Sequence, residues 1–117
     1  MVPAIMRILY KILPAAEWRN ATEKGVFEGS AVDLQDGFIH LSAAHQLRET
    51  AARHFSGQDG LVLVGFAEGD LEHLRWEPSR GGDLFPHVYG PIATRLAAEV
   101  HPLPVLDGRH SFPPGVP

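Results

Sequence analysis

Leu61-Val62-Leu63-Val64-Gly65-Phe66 is the most apolar run in the chain. Its length and its β-branched residues read as a strand, and a strand with no polar face sits centrally, covered on both sides. Gly57 precedes it, and Ala67 to Glu72 follows as a polar connection. Upstream, residues 6–13 alternate when extended. Met6, Ile8, Tyr10 and Ile12 face one way, and Arg7, Leu9, Lys11 and Leu13 the other, so this is a second strand with both faces partly covered. Pro14 suits the first position of a helix that runs to Lys24, with Trp18 and Ala21 inward and Gly25 as a left-handed stop.

The remaining elements follow by the same reasoning. Val26 to Ser30 is a short extended piece, and Asp36-Gly37 is a turn signal. Phe38-Ile39-His40-Leu41 reads as a short strand. Ser42 then acts as N-cap of a helix from Ala43 to Phe55, in which Ala44, Leu47, Ala51 and Phe55 recur at helical spacing. Leu74 to Glu77 is a strand, Pro78 to Gly90 a loop, and Leu96 to Leu103 a closing strand. The proline- and glycine-rich stretch 104–117 is expected to lack regular structure. Strands and helices mix without a βαβ rhythm, which predicts one α+β domain over residues 5–103, followed by that tail.

Composition narrows the function classes. A chain of 117 residues, 44% hydrophobic, buries enough surface to fold without a disulfide or metal. It has no cysteine, which excludes a disulfide framework, a thiol nucleophile and a thiolate zinc site. The net charge of -4 and the lack of a Lys/Arg run argue against a generic nucleic-acid binder. No stretch approaches the length of a membrane span, and cytoplasm is the default compartment. The spacing of His40 and His45 is not that of a metal pair, and no metal is assigned. Phosphate-loop and dinucleotide fingerprints are absent.

Two stretches carry chemistry-bearing residues. In Gly37-Phe38-Ile39-His40-Leu41-Ser42 the alternation puts Phe38 and His40 on one face, next to a helix start at Ser42 whose N–H groups suit an anion. The bland reading is a capped helix beside a hydrogen-bonded core histidine. The second stretch, Trp76 to Gly90, gathers Glu77, Arg80, Asp83, His87 and Tyr89 among aromatic rings and glycines. Arg80 offers a fork for phosphate or carboxylate, and Gly81-Gly82 lets backbone N–H groups approach an anion. Its bland reading is a connecting loop with Arg80 and Glu77 paired.

The order of these motifs is familiar. Tyr10-Lys11, Trp18, Gly37 to Ser42, Leu74 to Gly82 and Phe85-Pro86-His87-Val88-Tyr89-Gly90-Pro91 together resemble the bacterial and fungal family labelled domain of unknown function 952, over roughly residues 7–103. The resemblance implies a split, mainly antiparallel sheet with two main helices, similar to ADP-ribosyltransferases, and NAD as the cofactor to consider. Many relatives read Tyr-His where this chain has Tyr10-Lys11, and an ammonium lacks the donor–acceptor pattern of an imidazole.

Three functions follow. The first is an enzyme of ADP-ribosyl- or phospho-transferase type acting on a small anionic or nucleotide-like ligand. Its catalytic candidates are His40, Glu77 and His87. Its ligand-binding candidates are Tyr10, Lys11, Phe38, Ser42, Arg80, Gly81, Gly82 and Tyr89. The second is a module that binds such a ligand without chemistry. The third is a protein-interaction domain using Trp76, Phe85 and Tyr89 as an exposed aromatic patch.

Overall fold

The computed structural model describes residues 6–116, with Arg80 described by its backbone alone. In chain order the elements are β1 (Ile8–Pro14), α1 (Ala15–Lys24), β2 (Val26–Phe27), α2 (Ala31–Asp36), β3 (Ile39–His40), β4 (Ser42–Ala43), α3 (Leu47–His54), β5 (Leu61–Ala67), β6 (Leu74–Pro78), β7 (Leu84–Val88), β8 (Ile92–Ala93), β9 (Ala97–Leu103), β10 (Val105–Leu106) and β11 (Arg109–His110). They form a small α+β domain with antiparallel strand pairs throughout the described residues. The radius of gyration, 13.4 Å, is what one compact domain of this length should have.

A four-stranded sheet has the order β4-β1-β5-β9, and a separate three-stranded sheet has the order β3-β7-β6. The apolar run at Leu61 is an inner strand, paired with β1 on one side and β9 on the other. The alternation along β1 sorts the core into two layers. Leu9 and Leu13 pack with Trp18, Ala21, Phe27, Val64 and Phe66 on the α1 side. Tyr10 and Ile12 pack with Leu47, Ala51, Leu63 and Leu103 on the α3 side. α1 ends at Gly25, whose φ of 85° is the left-handed conformation expected there.

The chain crosses between the sheets at one residue. Ile39–His40 pairs with Val88 and His87 in the smaller sheet, while Ser42–Ala43 pairs with Tyr10 and Leu9 in the larger one. Leu41 is the link, and its N–H donates to the carbonyl of Pro86 at 3.0 Å. The single strand expected over 38–41 is therefore two short strands in different sheets. Ser42 belongs to β4 and caps no helix. Its hydroxyl lies 3.1 Å from that of Thr50, and a 3-10 turn over Ala44–Gln46 separates it from α3.

Three further expectations are corrected. The loop expected over 78–90 contains β7, the middle strand of its sheet. Proline normally argues against an inner strand because it cannot donate to the ladder. In an antiparallel strand a residue's N–H and C=O face the same side. The Pro86 carbonyl faces the point where the chain has left β3, so the missing N–H costs the β6 ladder nothing. Residues 31–36, of which only Asp36 was read, as the start of a turn, form α2, with the Asp33 carboxylate accepting from the Ser30 N–H at 2.8 Å. The stretch after Leu103 is not irregular throughout. β10 and β11 form a hairpin, and Val116 is buried in the α3-side core.

Candidate functional site

The split between the two sheets opens a cleft of about 460 Å³. Tyr10, Lys11 and Ile12 of β1 line it, with Asp36 of α2, His40, Ser42, Thr50 of α3, Phe85 and His87. β1 contributes three consecutive residues and the β3–β4 crossing contributes His40, Leu41 and Ser42, so side chains distant in sequence converge where the sheets part. His40 and His87 are register partners across β3 and β7, so their rings lie on one face, with centroids 5.5 Å apart.

Asp33 organises one side of the cleft. It is 2% exposed, and Lys11 is 6% exposed. The Lys11 ammonium donates to the two carboxylate oxygens at 3.0 and 2.8 Å and to the His40 carbonyl at 3.1 Å. Asp33 Oδ1 also accepts from the His40 backbone N–H at 3.1 Å and lies 2.6 Å from His40 Nδ1. Burial pushes the Asp33 carboxyl up, but the His40 hydrogen bond, the Lys11 charge and the bonds from Lys11 and Ser30 outweigh it and hold it at about 2. Burial pulls the Lys11 ammonium down, against the opposing pull of Asp33. The other ring nitrogen of His40 lies 3.0 Å from Asp36 Oδ2.

His87 has its own carboxylate. Its Nδ1 lies 2.7 Å from Glu77 Oε1, and the same oxygen accepts from the Tyr89 hydroxyl at 2.6 Å. The bonds from Tyr89 and His87 hold the Glu77 carboxyl below its ordinary range, and the bond to Glu77 raises the Tyr89 phenol. The Phe38 ring stacks on His87 at 4.1 Å and lies 4.6 Å from His40, so it packs the two imidazoles in place. On the opposite wall Tyr10, Gly65 and Glu99 lie in one row across three strands. A Cβ at residue 65 would stand 2.6 Å from Ile8 Cγ2 and 3.1 Å from Tyr10 Cε1. Glycine leaves the Tyr10 ring that space, and burial and the nearby Glu99 carboxylate both push its phenol up.

The structure brings Tyr10, Lys11, His40, Ser42 and His87 to one cleft. Glu77 and Tyr89 stand behind His87, and Phe38 behind both imidazoles. Gly81 and Gly82 form an exposed turn with φ of 66° and 84°, next to Ser79, which lines the cleft. The Arg80 side chain lies outside the described residues. Asp33 and Asp36 were not singled out from the sequence. The signal for Asp33 was its place three residues after Ser30, a capping pattern. Trp76, Phe85 and Tyr89 make no single exposed patch. Trp76 packs against the core beneath Arg7, and Phe85 is buried in the cleft wall. Among the described residues no cluster of three or more potential metal ligands occurs, and no helix is long and apolar enough to cross a membrane.

Comparison with known proteins places the chain. The crystal structure of protein CC0527 from Caulobacter crescentus shares 51% identity, covering 89% of this chain and 93% of that one, with a TM-score of 0.84. The solution NMR structure of CC0527 shares 49% identity over 88% and 90% of the two chains, with a TM-score of 0.79. No curated protein matches. The family described as protein of unknown function, DUF952, matches residues 12–100, most of the chain. The protein therefore belongs to the DUF952 family.

Proposed function

We propose that the chain is a transferase of ADP-ribosyl or phosphoryl type that acts on a nucleotide-like ligand held in the cleft between the sheets. One observation carries this reading: two imidazoles, each with a carboxylate at Nδ1, line the same cleft with ring centroids 5.5 Å apart. A carboxylate at Nδ1 fixes the ring and its tautomer and leaves Nε2 for proton transfer. His87 is the stronger acid–base candidate. His40 must first release Asp36 from its second nitrogen. Glu77 acts through His87 as a positioning residue. Phe38 orders the pair rather than stacking on a base.

NAD is tested against these residues. The cleft has the volume of an ordinary ligand site. The Gly81-Gly82 turn beside Ser79 has open space where side chains would otherwise stand, so a phosphate can approach its backbone. Lys11 is already neutralised by Asp33, so phosphate charge falls to that turn. Bound NAD would supply the ADP-ribosyl group. The chain's part is to hold the sugar end beside His40, Ser42 and His87 and to manage a proton at His87 Nε2. The sequence resemblance to the family, which implies a fold similar to ADP-ribosyltransferases, supports the same reading.

Thermal shift with NAD, ADP-ribose and AMP tests binding, and NMR detection of released nicotinamide tests chemistry. Nucleotide stabilisation lost in His40→Ala, with nicotinamide release lost in His87→Ala, is the expected result. A folded protein that responds to none of the three nucleotides overturns the reading. A non-catalytic binding module is the second reading, favoured by Glu77 standing behind His87 with one oxygen shared between two donors. Stabilisation by nucleotide, with neither nicotinamide release nor transfer of a phosphoryl group from a phosphate ester, would select it.

A further inference from the structure

The directions of the hydrogen bonds around the cleft decide which end of a ligand it accepts. A hydroxyl has one proton to give and two lone pairs to offer. The Thr50 hydroxyl donates to the carbonyl of Gln46 at 3.0 Å, one turn earlier in the helix. Its proton is then spent, so at 3.1 Å from Ser42 it can only accept. The Ser42 proton therefore points at Thr50, and its remaining lone pair is what a ligand meets.

Three other groups present the same polarity. The Tyr10 phenol faces the Glu99 carboxylate, which has no proton to give, so between the two the phenol is the donor and keeps a lone pair. His87 directs Nδ1 at Glu77 2.7 Å away, and with the ring proton on that nitrogen its Nε2 offers a lone pair. Asp36 lines the cleft as a carboxylate. The positive groups are engaged elsewhere. Lys11, the one lysine or arginine lining the cleft among the described residues, is bonded to Asp33 and to the His40 carbonyl. Both ring nitrogens of His40 face carboxylates, Asp33 at 2.6 Å and Asp36 at 3.0 Å. Between these acceptors the walls are the apolar faces of Ile12, Val32, Phe55 and Phe85.

We infer that the cleft takes a flat apolar or aromatic body bearing hydrogen-bond donors, an amidine, primary amide or ammonium, and rejects the matched carboxylate or phosphate. This rests on the cleft being the ligand site, and it names the end of the ligand that enters. A carboxylate or phosphate there would meet lone pairs at Tyr10, Ser42, Asp36 and His87, with the Lys11 ammonium and the His40 ring already engaged by Asp33 and Asp36. Negative groups of the same ligand are left to the outer Gly81-Gly82 turn.

Benzamidine, benzoate and phenyl phosphate, matched in their aromatic body, test this by NMR titration of the folded full chain, following the amides of residues 40–43. Benzamidine should bind about tenfold or more tightly than either anion, the difference expected of one charge-assisted hydrogen bond. Asp36→Asn, at an exposed helix end, should shrink that ratio while leaving the fold intact, because it replaces an acceptor oxygen by an amide donor. Equal or tighter binding of benzoate or phenyl phosphate overturns the inference, as does a chain that binds none of the three in the millimolar range. The two readings fail separately. Benzamidine selectivity without any nucleotide response leaves this inference standing and removes the transferase. Nucleotide turnover with benzoate preferred does the reverse.

Discussion

Asp33 is the residue on which most of the site's order depends. One carboxylate accepts from an ammonium, two backbone N–H groups and an imidazole, from elements as far apart as β1 and β3. Removing one partner of such a buried pair leaves the other charge uncompensated, at a cost of about 3–5 kcal/mol. Asp33→Asn should therefore lower urea stability by about that much. Lys11→Met in the same chain should recover part of the loss, a non-additivity that a double-mutant cycle measures. The pH dependence has a definite sign. The folded carboxyl is held at about 2, below its usual 3.8, so its contribution is fully present above pH 4 and fades as pH falls toward 2. Denaturant titrations across that window should show a loss of about 2 kcal/mol in the native chain that is absent in Asp33→Asn. His40, Ser42 and His87 were legible from sequence because aromatic, imidazole and hydroxyl groups stood close together. Asp33 was not, because an aspartate in a polar stretch looks like surface until the fold folds Lys11 over it.

At the scale of elements, alternation was the most informative signal. It assigned both faces of β1 residue by residue, since a two-residue period maps directly onto the two core layers. It failed where an element was short or broke a local rule. β7 contains a proline, and its tolerance depends on a neighbour leaving the sheet at Leu41, a tertiary fact with no local trace. α2 has six residues, too few for a helical period to show. Gly65 illustrates the opposite: a glycine inside a strand signals close approach, and the close partners are Ile8 and the Tyr10 ring. Gly65→Ala should cost about 1–3 kcal/mol through overpacking. It should also move the Tyr10 ring away from Glu99, read as a downward shift in the phenol titration followed by ultraviolet absorbance. An unchanged titration would show that the ring does not need that space.

For the whole molecule, residues 104–116 complete the core on the α3 side. Val116 is buried there, Phe112 packs beneath Arg48 at 4.6 Å, and His110 lies 2.8 Å from the Gln58 carbonyl. Deleting residues 104–117 should destabilise the domain by about 2–4 kcal/mol, the burial lost with one buried valine and one partly buried phenylalanine. A melting temperature unchanged by the deletion would contradict that packing. Composition had suggested a loose tail because proline and glycine dominate it. Asp107-Gly108, both at positive φ, instead turn a hairpin back onto the domain.

Leu41 gives the cleft an unusual mechanical basis. Ser42 on one wall and His40 on the other are separated by a single peptide unit on each side of that link. Covalent bond lengths, rather than a flexible loop, set the distance between the two recognition groups. The cleft therefore behaves as a caliper with a fixed jaw. Ligands are measured against that spacing, and a change in selectivity comes from the groups that line the two walls, such as Asp36, Tyr10 and His87.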